Sequence, residues 1–149
     1  MSAPTEQSTA LDGVAATLQP VLLVDDDPTA AATTEAILTR AGYAVASESR
    51  GDAVLKLVRT MFMRLVVTEL YVPCSEGRCV ATVLRGERRT RPRLRIIVFT
   101  RHRSPDDQAW ALAAGCDAII AKTAPPEVLV HEVRRLDDYS APAISLLSR

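Results

Sequence analysis

Residues 21–28 read V-L-L-V-D-D-D-P. Four aliphatic residues, Val21 to Val24, are too few for a helix and suit a short buried strand. Three acids follow, Asp25, Asp26 and Asp27, and then Pro28. Proline suits the first turn of a helix and aspartate can cap it, so Asp27-Pro28 predicts a helix start. Ala31 to Ala41 continues that helix, and Gly42 stops it. A buried strand that hands over at once to a helix is the opening of a strand–helix–strand repeat.

The repeat continues. Tyr43–Ser47 reads as a second strand, and Gly51–Met61 carries apolar residues at helical spacing. Leu65–Thr68 reads as strand three and Glu76–Leu84 as a helix, with the polar loop Gly86–Arg93 after it. Leu94–Thr100 reads as strand four, Pro105–Ala114 as a helix closed by Gly115, and Ala118–Ala121 as strand five. Pro125–Leu136 is the last helix, with Glu127 early and Arg134 and Arg135 late, as the helix dipole prefers. Strand runs apolar on both faces require a parallel sheet covered by helices on both sides. Such folds place their working residues at the carboxyl ends of the strands. Those ends hold Asp25, Asp26 and Asp27 after strand one, Glu69 after strand three, Thr100 on strand four and Lys122 after strand five.

The chain of 149 residues is long enough for one domain with a substantial core. With one Trp, three Tyr and two Phe, that core falls to Val, Leu, Ile and Ala. Lys plus Arg and Asp plus Glu both number 18, so net charge gives no case for general attraction to nucleic acid or membranes. No Lys or Arg precedes Arg40, whereas six arginines crowd positions 85–95. Arginines in a loop without interleaved aromatics read as a solvated face, and nucleic-acid binding is not expected. Cys74, Cys79 and Cys116 form neither a disulfide framework nor a zinc pattern. Reduced thiols, no basic leader and no apolar run of about 20 residues predict a cytoplasmic protein.

The motifs VLLVDDDP, VVTELYVP, IIVFT and GCDAIIAK, in that order, resemble the receiver domain of bacterial two-component response regulators across about residues 20–136. The resemblance implies a flavodoxin-like, doubly wound α/β fold: five parallel strands in order 2-1-3-4-5 with five helices. It also implies roles. In that family the acids matching Asp25 and Asp26 hold magnesium, aided by the backbone carbonyl at the position of Tyr71. An aspartate after strand three takes a phosphoryl group from a histidine kinase, and residues matching Thr100 and Lys122 hold the phosphoryl oxygens. Phosphoryl transfer is mostly positioning and charge neutralisation, and magnesium demands near-octahedral oxygen ligands.

The sequence departs from that pattern where it matters most. Glu69 stands at the phosphoacceptor position, and no aspartate lies between Asp52 and Asp106. Its extra methylene carries the carboxylate about 1.5 Å further out. A displacement of that size can cost orders of magnitude in rate. It also brings the carboxylate near the place of a phosphorylated aspartate's phosphoryl group, with one charge instead of nearly two. Ile119 replaces the usual aromatic, and Thr123 replaces the usual proline, so Lys122–Thr123 is expected to be trans. Arg101 replaces a small residue. Arg101 or Lys122 is expected to reach over the rim and pair with Glu69 or Asp26, supplying the neutralisation that Asp25, Asp26 and Glu69 need. No cofactor is then required, and any magnesium held by Asp26, Glu69 and the Tyr71 carbonyl is bound weakly.

The resulting expectation is an atypical, stand-alone receiver-like protein. It is not an enzyme, and it acts through phosphorylation-independent contacts with signalling proteins such as a histidine kinase or an effector. Two alternatives are a receiver still phosphorylated on Glu69, Thr68 or Ser75, and a haloacid-dehalogenase-like phosphatase using Asp25-x-Asp27-x-Thr29. The latter would need a second acidic pair, for which Asp137-Asp138 is the candidate. Trp110 is expected near the solvent side of its helix, with Ala109, Leu112 and Ala113 on the core face, which makes it a candidate interface anchor. The family's habit of dimerising through its fourth helix, fifth strand and fifth helix suggests a homodimer there. Residues 1–19 read as an extension with a short amphipathic helix over 9–18, and 137–149 as a tail.

Overall fold

In the computed structural model, residues 20–74 and 80–137 are described. The elements in chain order are β1 (Val21–Val24), α1 (Pro28–Arg40), β2 (Val45–Glu48), a 3₁₀ turn (Gly51–Ala53), α2 (Val54–Thr60), β3 (Leu65–Thr68), α3 (Val80–Glu87), β4 (Arg95–Thr100), α4 (Pro105–Ala113), β5 (Ala118–Ala121) and α5 (Pro126–Asp137). All strand pairs are parallel and the sheet order is β2-β1-β3-β4-β5. The expected fold and strand order are both observed.

Strand alternation divides the core in two. Leu22, Val24, Val66, Ile96 and Val98 face α2, α3 and α4, where Val54, Val58, Val80, Leu84 and Ala111 meet them. Val21, Leu23, Leu65, Val67, Ile97 and Phe99 face α1 and α5, against Leu38, Leu129, Val133 and Leu136. Every residue of β1, β3 and β5 is buried, as a doubly covered sheet requires.

Several element ends differ from expectation, each for a local reason. The second strand begins at Val45, because Tyr43 is instead a buried residue packed with Leu38 and Val21. The helix foreseen from Gly51 opens with the 3₁₀ turn. There a Cβ on Gly51 would lie 2.2 Å from the Pro73 carbonyl oxygen, so only glycine allows this close approach. Helix α3 runs on through Gly86 and Glu87, shortening the foreseen loop, while its foreseen start at Glu76 lies outside the described residues. The residue 9–18 helix and residues 138–149 of the foreseen 137–149 tail also lie outside them, while Asp137 closes α5 and is not part of a tail. Gly42 and Gly115 adopt φ of 101° and 81° after their helices. No cis peptide occurs among the described residues, so Lys122–Thr123 is trans, as expected.

Candidate functional site

Parallel ladders carry the rim residues to one edge. The amides of Asp25, Glu69 and Lys122 extend the ladder beyond the strand ends, donating to Glu48, Val24 and Thr100 carbonyls at 3.2, 2.9 and 2.9 Å. Asp25, Glu69, Thr100 and Lys122 therefore converge, as foreseen. The Lys122 Nζ stands 2.6 Å from Asp25 Oδ2 and 2.9 Å from Glu69 Oε2. The three side chains are 12%, 3% and 8% exposed, so this triad is largely withdrawn from water.

The other carboxylate oxygens are also engaged. Glu69 Oε1 accepts from the Leu70 amide at 2.6 Å, and Asp25 Oδ1 accepts from the Asp27 amide at 2.9 Å. Thr100 bonds Glu69 through its side chain while accepting the His102 amide at 3.0 Å. Burial alone would raise the pKa of Glu69. Hydrogen bonds from Thr100, Lys122 and the Leu70 amide, with the lysine charge, outweigh it and hold the carboxyl below the usual range. Burial likewise opposes the Lys122 charge, but its bonds to Asp25 and Glu69 win and raise its pKa. Both groups are ionised across neutral pH.

Arg101 takes a different partner from the one expected. Its guanidinium meets Asp27 Oδ2 at 2.8 Å, not Glu69 or Asp26. The reason lies in Asp27's position as the α1 cap, where Oδ1 accepts from the Thr29 and Ala30 amides at 3.0 and 3.3 Å. The backbone bond from Ala30, then the Arg101 bond, lower the Asp27 pKa. Asp27 is thus committed to a helix terminus and a surface pair, and the phosphatase-type reading of Asp25-x-Asp27 gains no support. Asp26 points to solvent. The Thr68 hydroxyl is fully buried and donates to the Glu69 carbonyl at 2.9 Å. Ser75 and Asp138 lie outside the described residues.

A divalent cation needs carboxylate oxygens open to coordination. Here every oxygen of Asp25 and Glu69 meets a protein donor. Among the described residues no three His, Cys, Asp or Glu side chains cluster so as to hold a metal ion. A magnesium ion at this place would have to compete with Lys122 for Asp25 and Glu69, and Asp26 alone of the three acids is exposed.

Beside the triad, the loop after β3 is tied to the start of α4. The Tyr71 hydroxyl donates to Asp107 Oδ1 at 2.5 Å. Asp107 Oδ2 accepts from the Ser104 amide at 3.1 Å, and Ser104 Oγ accepts from the Asp107 amide at 3.0 Å, closing a capping box. Tyr71 also meets His102 and Trp110 edge-on at 5.0 and 5.9 Å. Trp110 is 37% exposed. The core face of α4 is Ala111, followed by Ala114, and not the expected Ala109, Leu112 and Ala113, all of which are exposed.

Sequence reasoning missed the work of the arginine-rich stretch. Arg88 donates to Leu94 O and Gly115 O at 3.0 and 2.8 Å and pairs with the buried Asp117, which accepts the Ile96 amide at 2.8 Å. Arg59 and Arg91 both hold Glu87, at 2.8 and 3.1 Å. Arg85 donates to Ala113 O at 2.8 Å. These arginines tie α2, α3 and the end of α4 together, where a solvated face was expected. An acid next to a strand, as in Cys116-Asp117-Ala118, was the available signal.

The family model for the response regulator receiver domain matches residues 21–134. The chain is 32% identical over 117 residues to a gliding motility regulatory protein of Myxococcus xanthus, covering 78% of this chain and 15% of that protein. It is 30% identical over 132 residues to the DNA-binding response regulator MtrA of Mycolicibacterium smegmatis, covering 86% and 56%. The chain therefore spans about half or less of the length of these relatives. A CheY-like receiver domain protein from Methanospirillum hungatei matches with TM-score 0.69 and 27% identity over 82% of this chain and 96% of that one. The signal receiver domain of a histidine kinase from Syntrophus aciditrophicus matches with TM-score 0.71 and 25% identity, over 87% and 98%. No described helix is long and apolar enough to cross a membrane.

Proposed function

Because the chain belongs to the receiver domain family of response regulators, we propose that it is a signalling module whose phosphoryl switch is replaced by a permanent internal ion pair. Glu69 occupies the place of the phosphoacceptor, and the module works through protein–protein contacts without phosphorylation and without catalysis. The observation that supports this reading is Lys122 Nζ bridging Asp25 and Glu69 at 2.6 and 2.9 Å. The lysine that would await an incoming phosphoryl group already has a carboxylate to hold. It also supplies the neutralisation otherwise expected of a cation, so no cofactor is required and magnesium binding is weak.

Partners in this reading are a histidine kinase or a downstream effector. Trp110, exposed beside Tyr71, anchors the contact, and α4, β5 and α5 supply a homodimer face. If Trp110→Ala changes neither sedimentation nor partner capture, that surface is wrongly assigned.

Intact mass after incubation with magnesium and acetyl phosphate tests the switch. In a competent receiver the carboxylate attacks phosphorus, acetate leaves with its bonding electrons, and the protein gains an acyl phosphate. The expected result is no gain for the wild type and a gain for Glu69→Asp. A wild-type gain overturns the reading. No gain for either protein means that the pocket as a whole, and not the acceptor alone, is retired.

A further inference from the structure

Two cations cross the rim of the sheet toward the acids that follow β1. Lys122, after β5, reaches Asp25 at 2.6 Å, and Arg101, directly after β4, reaches Asp27 at 2.8 Å. In the sheet, β3 lies between β1 and β4. Neighbouring strands are about 4.8 Å apart, so the chain leaving β4 starts about 10 Å from the chain leaving β1. A contact between Arg101 and Asp27 therefore spans the end of β3, where Glu69 stands.

Exposure sets the order of the two crossings. The Lys122 and Asp25 side chains are 12% and 3% exposed, whereas those of Arg101 and Asp27 are 58% and 41% exposed. The lysine crossing is the inner one, within the pocket, and the arginine crossing is the outer one, at its surface.

The outer crossing is also the one that can open. A single guanidinium nitrogen, Nη2, holds it, on one oxygen, Oδ2. The other oxygen of Asp27 accepts from the Thr29 and Ala30 amides. Releasing Arg101 thus leaves the α1 cap in place. An exposed pair is weak and is screened by salt, whereas a buried one is screened much less. Such a pair adds little to stability, so its position over Glu69 bears on access and not on folding.

We infer that the Arg101–Asp27 pair is a salt-sensitive strap across the Glu69 pocket, which keeps small anions, phosphodonors among them, from the carboxylates and the ammonium beneath. The inference rests on the reading of that pocket as a former phosphoryl site only for the kind of anion that would enter.

The chain has two lysines, Lys56 and Lys122, and Lys56 is exposed. Amine labelling by trinitrobenzenesulfonate, a small anion, located by peptide mass mapping, reads access to Lys122 against Lys56 as an internal reference. The expected result is a Lys122-to-Lys56 ratio raised about two- to fivefold by Arg101→Ser and likewise by Asp27→Asn, which keeps a capping side chain. The two variants change the local charge in opposite senses, so a rise in both reports access and not attraction of the reagent. High salt is expected to raise the ratio in the wild type and not in Arg101→Ser. An unchanged ratio in either variant overturns the strap, as does a rise accompanied by a lower melting temperature, which reports unfolding instead. With acetyl phosphate and magnesium, Glu69→Asp/Arg101→Ser is expected to gain mass faster than Glu69→Asp, and equal rates overturn the exclusion of phosphodonors. A mass gain by the wild type overturns the reading of Glu69 and leaves the strap standing on the labelling ratio.

Discussion

Lys122 Nζ lies 2.9 Å from Glu69 Oε2 while the same ammonium meets Asp25 Oδ2 at 2.6 Å, so one buried cation serves two buried carboxylates. Removing one member of such a group costs more than the group contributes when intact, because an uncompensated charge is left behind. Lys122→Ala is expected to lower unfolding stability by about 3–5 kcal/mol in urea titrations. Magnesium is expected to raise the melting temperature of this variant more than that of the wild type. Equal responses to magnesium would show that Lys122 is not the neutralising group.

The same pair sets a pH dependence. Glu69 has a depressed pKa in the folded state, so its contribution is present above the ordinary glutamate value of about 4.3 and is lost as pH falls through the lower folded value. Lys122 has a raised pKa, so its contribution is full below about 10.4 and is lost as pH rises past it. The stability gap between wild type and Glu69→Gln should therefore be flat around neutrality and narrow below about pH 4. A gap independent of pH would show that the carboxylate charge contributes nothing.

Arg88 and Asp117 form another buried pair. Arg88→Ala removes bonds to Leu94, Gly115 and Asp117 together and strands a fully buried carboxylate. A loss of about 3–5 kcal/mol is expected. Asp117→Asn should cost less, because its amide oxygen can still accept from the Ile96 amide. A double-mutant cycle that returned no coupling would refute the pairing.

Gly51→Ala tests the close approach of the 3₁₀ turn to the chain after β3. The new Cβ would meet backbone, the Pro73 carbonyl oxygen at 2.2 Å, which cannot swing aside like a side chain. Overpacking of this kind costs about 1–3 kcal/mol, readable as a lower denaturation midpoint. An unchanged midpoint would show that the turn shifts freely.

Legibility followed the physics of each level. β1, β3 and β5 were readable to the residue, because a doubly covered strand must be apolar throughout and stop where the polar rim begins. The convergence of Asp25, Glu69, Thr100 and Lys122 followed from that parallel topology. The partner of Arg101 did not, since a long side chain at a rim chooses among several acids by loop geometry and Asp27 had been fixed by capping α1. The arginine-rich stretch was misread because its acids, Glu87 and Asp117, are brought to it by helix continuation and by the β4–β5 pairing. Composition cannot show either. The core face of α4 was misjudged because its nine residues include three alanines, which give a weak apolar stripe.

Tyr71 and Asp107 give the rim a mechanical property. The chain leaving Glu69 and the first turn of α4 are joined by one carboxylate that cannot serve two geometries at once. Drawing Tyr71 outward would break its hydroxyl bond and pull on the Ser104–Asp107 box, with each lost bond costing about 1 kcal/mol. A ligand that grips Tyr71 would thereby work against the helix start carrying Trp110, and one that grips the helix would strain the segment beside Glu69. The two loops, separate in sequence, form a single lever.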